Sequence, residues 1–588
     1  MTGSQGVEVM SVVSLLNELK KRKVVQVGLI YLASAWLVIE VSSVVLSIFE
    51  APGWITRLIV LILALGFPVA LILAWIFDLS IDGIRRTDPT STSGKLIISS
   101  AMLIMLVGTA GVFFYVVPKG VELNRNVVAV MACDNWTGDA KLEYVTDGLA
   151  EDIMHAVQRL GIQVIGRSST FSLKYKNLDI PTIAQRLGAA YVLTCSVRRI
   201  PQSLRISAQL SDASANKALW TEDFDRAPEN VFDVARVVAA EIPERMLTST
   251  SNEDQARLAN YETADPDAVD LYWRGRHFYN QFTAAGSRKA IELFRQALSI
   301  DPNYGQAHAG IADSLIMIKQ FEQIPDAVSA EEVEAHLEKA LDLDSENADV
   351  WASYAVFMLD TQRWEQSDEA FQRALDIDPN NISANIGIMA YYQTVGPASR
   401  QLPYIENAIR LDPLDSFASA ARIFAYTTMR EYENALIASD GTIDLDPTFW
   451  VTYWIRAITY DAMGDHSKML TDLDKAIELR APDEAFDLLP YRARAYAGLG
   501  RMDEAKAILA NLIKRSRENY VPALDFALIY AALGDEEQVL SHLEEAINTG
   551  DWKAPGLIMH SFEFDSVRNT PRFKALVARL GLEAEGFL

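Results

Sequence analysis

The chain has 588 residues, too many for one hydrophobic core, so several domains are expected. Its net charge of −25 argues against nucleic acid as a partner, because phosphate contacts need clustered Lys and Arg. Two cysteines, Cys133 and Cys195, are too few for a disulfide-built fold or a four-Cys zinc site.

Three apolar runs come first: Val24 to Leu46, Leu58 to Phe77 and Leu96 to Val117. Each approaches or exceeds the roughly 20 residues that a helix needs to cross a bilayer. A cleaved signal peptide would not be followed by two more such runs. The basic cluster Lys20-Lys21-Arg22-Lys23 precedes the first run, and Arg85, Arg86 and Lys95 lie between the second and third. By the positive-inside rule, residues 1–23 are then a short cytoplasmic N-terminus, and residues 24–117 a three-span anchor. Three spans place the bulk of the chain in the periplasm, anchored in a bacterial inner membrane with the lipid bilayer as a partner. Pro68 removes a helix hydrogen bond and should kink the second span. Glu40 lies about 24 Å along the first span at helical rise. Two readings of it stay open: a functional intramembrane acid, or a side chain that reaches the outer interface or is protonated against a neighbouring span.

From 124 to 251 the pattern changes. VVAVMA (Val127–Ala132) reads as a β-branched strand, and YVTDGLAEDIMHAVQRLG as a helix with Leu149, Ile153, Val157 and Leu160 on one face. Asp147 is the expected N-cap of that helix. QVIG gives a second strand and IPTIAQRLG a second helix. AYVLTCSVRRI, SLRISAQLSDA and KALWTEDFD read as a three-strand meander, and NVFDVARVVAAEIPERML closes the unit as a helix. The order β-α-β-α-β-β-β-α makes a small α/β layer with a mixed sheet.

The blocks VAVMACDN, YVTDGLAEDI, VIGRSSTFSLKYK, IAQRLGAAYVLTCSVRR, LRISAQLSDA and LWTEDFDR resemble the TolB amino-terminal-like domain of bacterial envelope proteins. AWIFDLSIDGIRRT resembles the membrane anchor that precedes this module in Gram-negative inner-membrane proteins carrying tetratricopeptide repeats. The resemblance implies a non-catalytic interaction domain of the cell envelope. The chain departs from it at Ala132-Cys133 and Thr194-Cys195, where family members usually carry Pro-Phe and Glu-Gly. Both cysteines thus fall on expected core strands. They either pair as a disulfide, which needs Cα atoms within about 7 Å, or stay as two buried thiols.

Residues 252–267 read as a polar linker, and 268–588 as a repeat array. The phrases ALSIDPNY, ALDLDSEN, ALDIDPNN, AIRLDPLD and TIDLDPTF recur, and Ser345, Pro379, Pro413 and Pro447 are spaced by 34 residues. That is the period of tetratricopeptide repeats, two antiparallel helices each. About eight repeats are expected, closed by a C-terminal cap in SFEFDSVRNTPRFKALVARLGL. Pro stops each second helix, and Ala297, Ala340, Ala374, Ala408 and Ala476 recur before the stop to allow close packing. The first helices line a concave groove that binds proteins or peptides. With Pro447 as the phase marker, Phe417, Phe424, Trp454 and Ile458 should face it, while Tyr453 and Tyr460 should sit between repeats.

The seven histidines are scattered, and no HExxH, GxSxG, GxxxxGK or GxGxxG pattern is present. No cofactor, metal or catalytic residue is expected. The fold class is therefore multidomain: three transmembrane helices, a small TolB amino-terminal-like α/β domain with a mixed sheet, and an all-α tetratricopeptide superhelix. The function expected is an inner-membrane-anchored periplasmic scaffold or sensor adaptor that binds protein partners. The alternative is an accessory subunit of a transporter or signalling complex acting through its spans, with an unrecognised enzyme third.

Overall fold

The computed structural model describes residues 24–48, 59, 62, 63, 66, 67, 70, 77–80, 83–86, 123–227, 230–246, 251, 265–322, 328–480 and 485–582. The chain divides into two compact units, Met1–Glu122 and Leu123–Leu588.

In the first unit, helix α1 spans Val24–Ile48, and strands β1 (Phe77–Ser80) and β2 (Gly83–Arg86) form an antiparallel hairpin. The expectation of three transmembrane helices is overturned here. Among the described residues no helix is long and apolar enough to cross a membrane. The second expected span is described only at isolated positions, and its last residue, Phe77, opens a strand. The third expected span and the Pro68 kink lie outside the described residues. The placement in a bacterial inner membrane, with a cytoplasmic N-terminus and a periplasmic bulk, rested on the span count and is corrected with it. Glu40 is exposed on α1.

The second unit opens with a mixed sheet. Its strands are β3 (Asn124–Val130), β4 (Asp134–Asn135), β5 (Gln163–Val164), β6 (Ala189–Ile200), β7 (Ser203–Asp212) and β8 (Lys217–Arg226). The order is β5-β3-β6-β7-β8, with β4 paired to β6; β3 runs parallel to β5 and β6, and the β6-β7-β8 meander is antiparallel. Helices α2 (Glu143–Arg159), α3 (Arg167–Ser172), α4 (Ile180–Leu187) and α5 (Asp233–Met246) cover it. Alternation along β3 divides the core between two faces. Val128 and Val130 join α2 and α5, whereas Val127 and Ala129 join α4. A disulfide links Cys133, just beyond β3, to Cys195 on β6, with Cα atoms 4.6 Å apart.

Paired helices follow. They are α6 (Pro266–Tyr279) with α7 (Ala284–Ile300), α8 (Gly305–Glu322) with α9 (Ala330–Leu343), and α10 (Ala348–Asp360) with α11 (Trp364–Ile377). The middle pairs are α12 (Ile382–Val395) with α13 (Leu402–Leu411), α14 (Ser416–Thr428) with α15 (Tyr432–Leu445), and α16 (Trp450–Ala462) with α17 (His466–Arg480). The last are α18 (Leu489–Gly498) with α19 (Met502–Arg515), and α20 (Ala523–Leu533) with α21 (Glu536–Asn548). Short helices α22 (Ala554–His560), α23 (Asp565–Arg568) and α24 (Pro571–Arg579) end the array. Ala297, Ala340, Ala374, Ala408 and Ala476 are all buried, so their small side chains do set the close approach of neighbouring helices. The third, fourth and fifth pairs are each started by a polar cap: Asn347 accepts from the Val350 amide, Asn381 from Ala384 and Asp415 from Ala418.

Candidate interaction face of the helical repeats

The first helix of each pair should present side chains to a binding groove. Two other parts of the same chain lie against that row of helices and decide how much of it is open.

The α/β layer packs against the early repeats through α2. The Trp273 indole on α6 lies flat against Gly148 of α2, where no side chain beyond hydrogen would fit. Its Nε1 donates to Asp152 Oδ2 at 3.0 Å. Beside it Glu151, 5% exposed, accepts from Arg167 Nε at 2.7 Å and Asn280 Nδ2 at 2.8 Å, with Arg276 Nε at 3.4 Å. Burial raises the Glu151 carboxyl, but Arg276 and Arg167 outweigh it and hold it below the usual value. Tyr144 donates to Asp270 at 2.6 Å, and Arg159 pairs with Asp344 at the end of α9. One apolar core runs unbroken from Val128 in the sheet to Met358 in the third repeat.

A second junction joins α3 to the turn between the fourth and fifth repeats. Gly166 N donates to Leu411 O at 2.7 Å, Ser169 N to Asp412 Oδ1 at 2.7 Å, and Leu414 N to Ser169 Oγ at 2.7 Å. Asp412 is 3% exposed. Burial pushes its carboxyl up to about 6, against the hydrogen bonds from Ser169.

At the other end the C-terminal cap turns back over the array. Trp364 Nε1, in the third repeat, donates to Leu580 O at 2.8 Å. Arg430, at the turn of the fifth repeat, pairs with Asp565 at 2.8 Å. Phe562 and Phe564 share one apolar cluster with Trp454, Ile458, Tyr491, Leu524 and Leu528.

The four residues expected in the groove therefore meet different fates. Phe417 is 54% exposed. Phe424 is half-buried against Ala420, Ile423 and Ile455. Trp454 is half-buried, tilted against Trp450 and edge-on to Tyr491, with ring centres 6.0 and 5.7 Å apart. Ile458 is only 6% exposed, in the cluster with the cap. Tyr453 is buried, with its hydroxyl donating to Pro447 O at 3.1 Å, and Tyr460 is half-buried. The contact residues that sequence reasoning missed are Glu151, Asp412, Phe562 and Phe564. Their contacts lie far away along the chain, and only the cap-like tail motif hinted at the last two. Among the described residues no group of three or more His, Cys, Asp or Glu could hold a metal ion.

Comparison with known proteins places the array. The tetratricopeptide repeat family matches residues 329–386. The chain is 35% identical over 195 residues to the putative adenylate cyclase 3 of Rhizobium meliloti (strain 1021), which is 33% of this chain. The chain spans about a third of that relative's length, 33%. Among solved structures, it is similar to YrrB, a TPR protein with an unusual peptide-binding site, at 21% identity and a TM-score of 0.25, over 33% of this chain and 94% of the other. It is also similar to pilF of Pseudomonas aeruginosa at 18% identity and a TM-score of 0.29, over 37% and 92%. The chain carries tetratricopeptide repeats, an architecture suited to binding proteins and peptides.

Proposed function

We propose that the chain is a protein-interaction scaffold in which the α/β layer, with its likeness to the TolB amino-terminal domain, and the repeats act as one binding body. The observation that carries this reading is the tetratricopeptide array itself, whose fifth repeat still offers the large apolar side chain Phe417 to solvent. The acidic chain favours partners that are neutral or basic where they touch it. The likeness to a protein named a putative adenylate cyclase supports a setting in signalling. The chain would act there by binding, and the relative's chemistry is not transferred to it.

The test is a photoreactive residue at position 417, compared with one at 437. Ile437 is 71% exposed on the second helix of the same repeat. A discrete protein adduct from 417 and none from 437, in intact cells, is the expected outcome. Equal adducts from both positions, or none from either, would sink the reading.

A further inference from the structure

The contact between the C-terminal cap and the last repeats has the build of a ligand in a site. Phe562–Phe564 is a single 3-10 turn, entered through the extended residue Ser561 and flanked by helices of seven and four residues. So short a turn has little helical stability of its own. It is held by side chains drawn from three successive repeats and, from within the cap, by Arg568, whose guanidinium donates to Ile558 O, Met559 O and Ser561 O. Phe564 is fully buried, and Phe562 packs into the same cluster as Trp454 and Ile458 of the sixth repeat, Tyr491 and Ala495 of the seventh, and Leu524 and Leu528 of the eighth. All six come from first helices, the row that lines a tetratricopeptide groove.

The polar part is equally built. Arg494 stands 5.9 Å from the centre of the Phe562 ring. It is fixed there by Asp461, which accepts from its Nε at 2.9 Å and is itself 7% exposed. Glu563, 9% exposed, faces the same guanidinium; burial raises its carboxyl, Arg494 opposes that, and Asp461 adds to it. By contrast the fastening at the edge is slight. Arg430 and Asp565 are 49% and 42% exposed, and exposed pairs of this kind contribute little.

We propose that the concave face of repeats six to eight is a binding site for a peptide of the pattern aromatic–acidic–aromatic, and that Ser561–Asp565 (Ser-Phe-Glu-Phe-Asp) is its resident copy in cis. The inference rests on the scaffold reading and names the partner chemistry for one part of it. A partner carrying the pattern competes with the resident copy, so its apparent affinity is scaled down by the fraction of molecules with the cap lifted. Loosening the cap raises that fraction.

The experiment uses the full chain and a fluorescein-labelled peptide of its own residues 558–568, read by anisotropy. Arg430→Glu repels Asp565 at an exposed position and leaves the buried cluster intact. The expected result is binding about two- to fivefold tighter to this variant than to the parent chain, the scale of one exposed ion pair. The same peptide with alanine at the positions of Phe562 and Phe564 should show no binding. If the native and alanine peptides bind alike, or if neither binds the variant, the segment is a fixed end cap and the proposal falls. The adducts at position 417 are read independently, so a failed peptide titration and a failed scaffold reading remain distinct.

Discussion

Asp412 sits where a turn of the repeats meets a turn of the α/β layer, and its ionisation is tied to that junction. An ordinary aspartate titrates near 3.8, whereas burial pushes this one up to about 6. Between those values the folded chain holds a proton at Asp412 that the unfolded chain has released. Stability from this group is therefore present below about 4, falls as pH rises through 6, and is lost above it. The groups facing it are Asp415 on its own turn, which raises it further, and Ser168 and Ser169 across the junction, which lower it. Asp412→Asn keeps an acceptor for the Ser169 amide but cannot ionise. Urea midpoints of parent and variant should converge near pH 4, and the variant should gain relative to the parent up to pH 7. A constant difference across that range would show that Asp412 does not titrate there.

At the level of elements, the disulfide ties β6 to the segment just after β3, closing a sequence separation of 62 residues. A cross-link of that span typically stabilises by about 2–4 kcal/mol, chiefly through the unfolded chain. Both cysteines are buried, and alanine fits either position without a polar loss. The double variant Cys133→Ala, Cys195→Ala should unfold at a urea concentration lower by the equivalent of about 2–4 kcal/mol. The parent under reducing agent should move the same way, and an unchanged midpoint in both would refute the role.

Elements with a strong local period were legible in the sequence. The β6-β7-β8 meander alternates, and the 34-residue phase places the repeat turns at Asp378, Asp412 and Asp446. Where a local signal competed with a distant one, the sequence misled. Asp147 reads as a helix cap, yet α2 already starts at Glu143 behind a short turn capped by Asp139. Asp147 instead accepts from Lys174 Nζ at 2.6 Å. Helix α3, six polar-rich residues, has no period to read. The apolar runs near the N-terminus read as spans by length, but among the described residues no helix is long and apolar enough to cross a membrane. Ile458, expected in the groove, lies on a first helix and is 6% exposed. What no local pattern encodes is that the chain's own tail, some hundred residues further on, lies in the same cluster.

For the whole molecule, the unbroken core from Val128 to Met358 sets the size of the cooperative unit. An isolated tetratricopeptide array behaves as a chain of nearest-neighbour units. Here the sheet and the first three repeats should instead open together. Hydrogen exchange along a denaturant series should give β6, β7, α6, α8 and α10 the same opening free energy. Early opening of the three repeats, with the sheet still protected, would contradict this.

The return of the cap to the third and fifth repeats also has a mechanical meaning. A free solenoid stretches like a spring, because each repeat touches only the next. Trp364 and Leu580 are joined across 216 residues, and Arg430 and Asp565 across 135. With those fasteners in place, extension along the axis cannot begin in the middle of the array until they part. Tension is therefore delivered first to the cap, and the coil behind it stays at its resting length until the clasp opens.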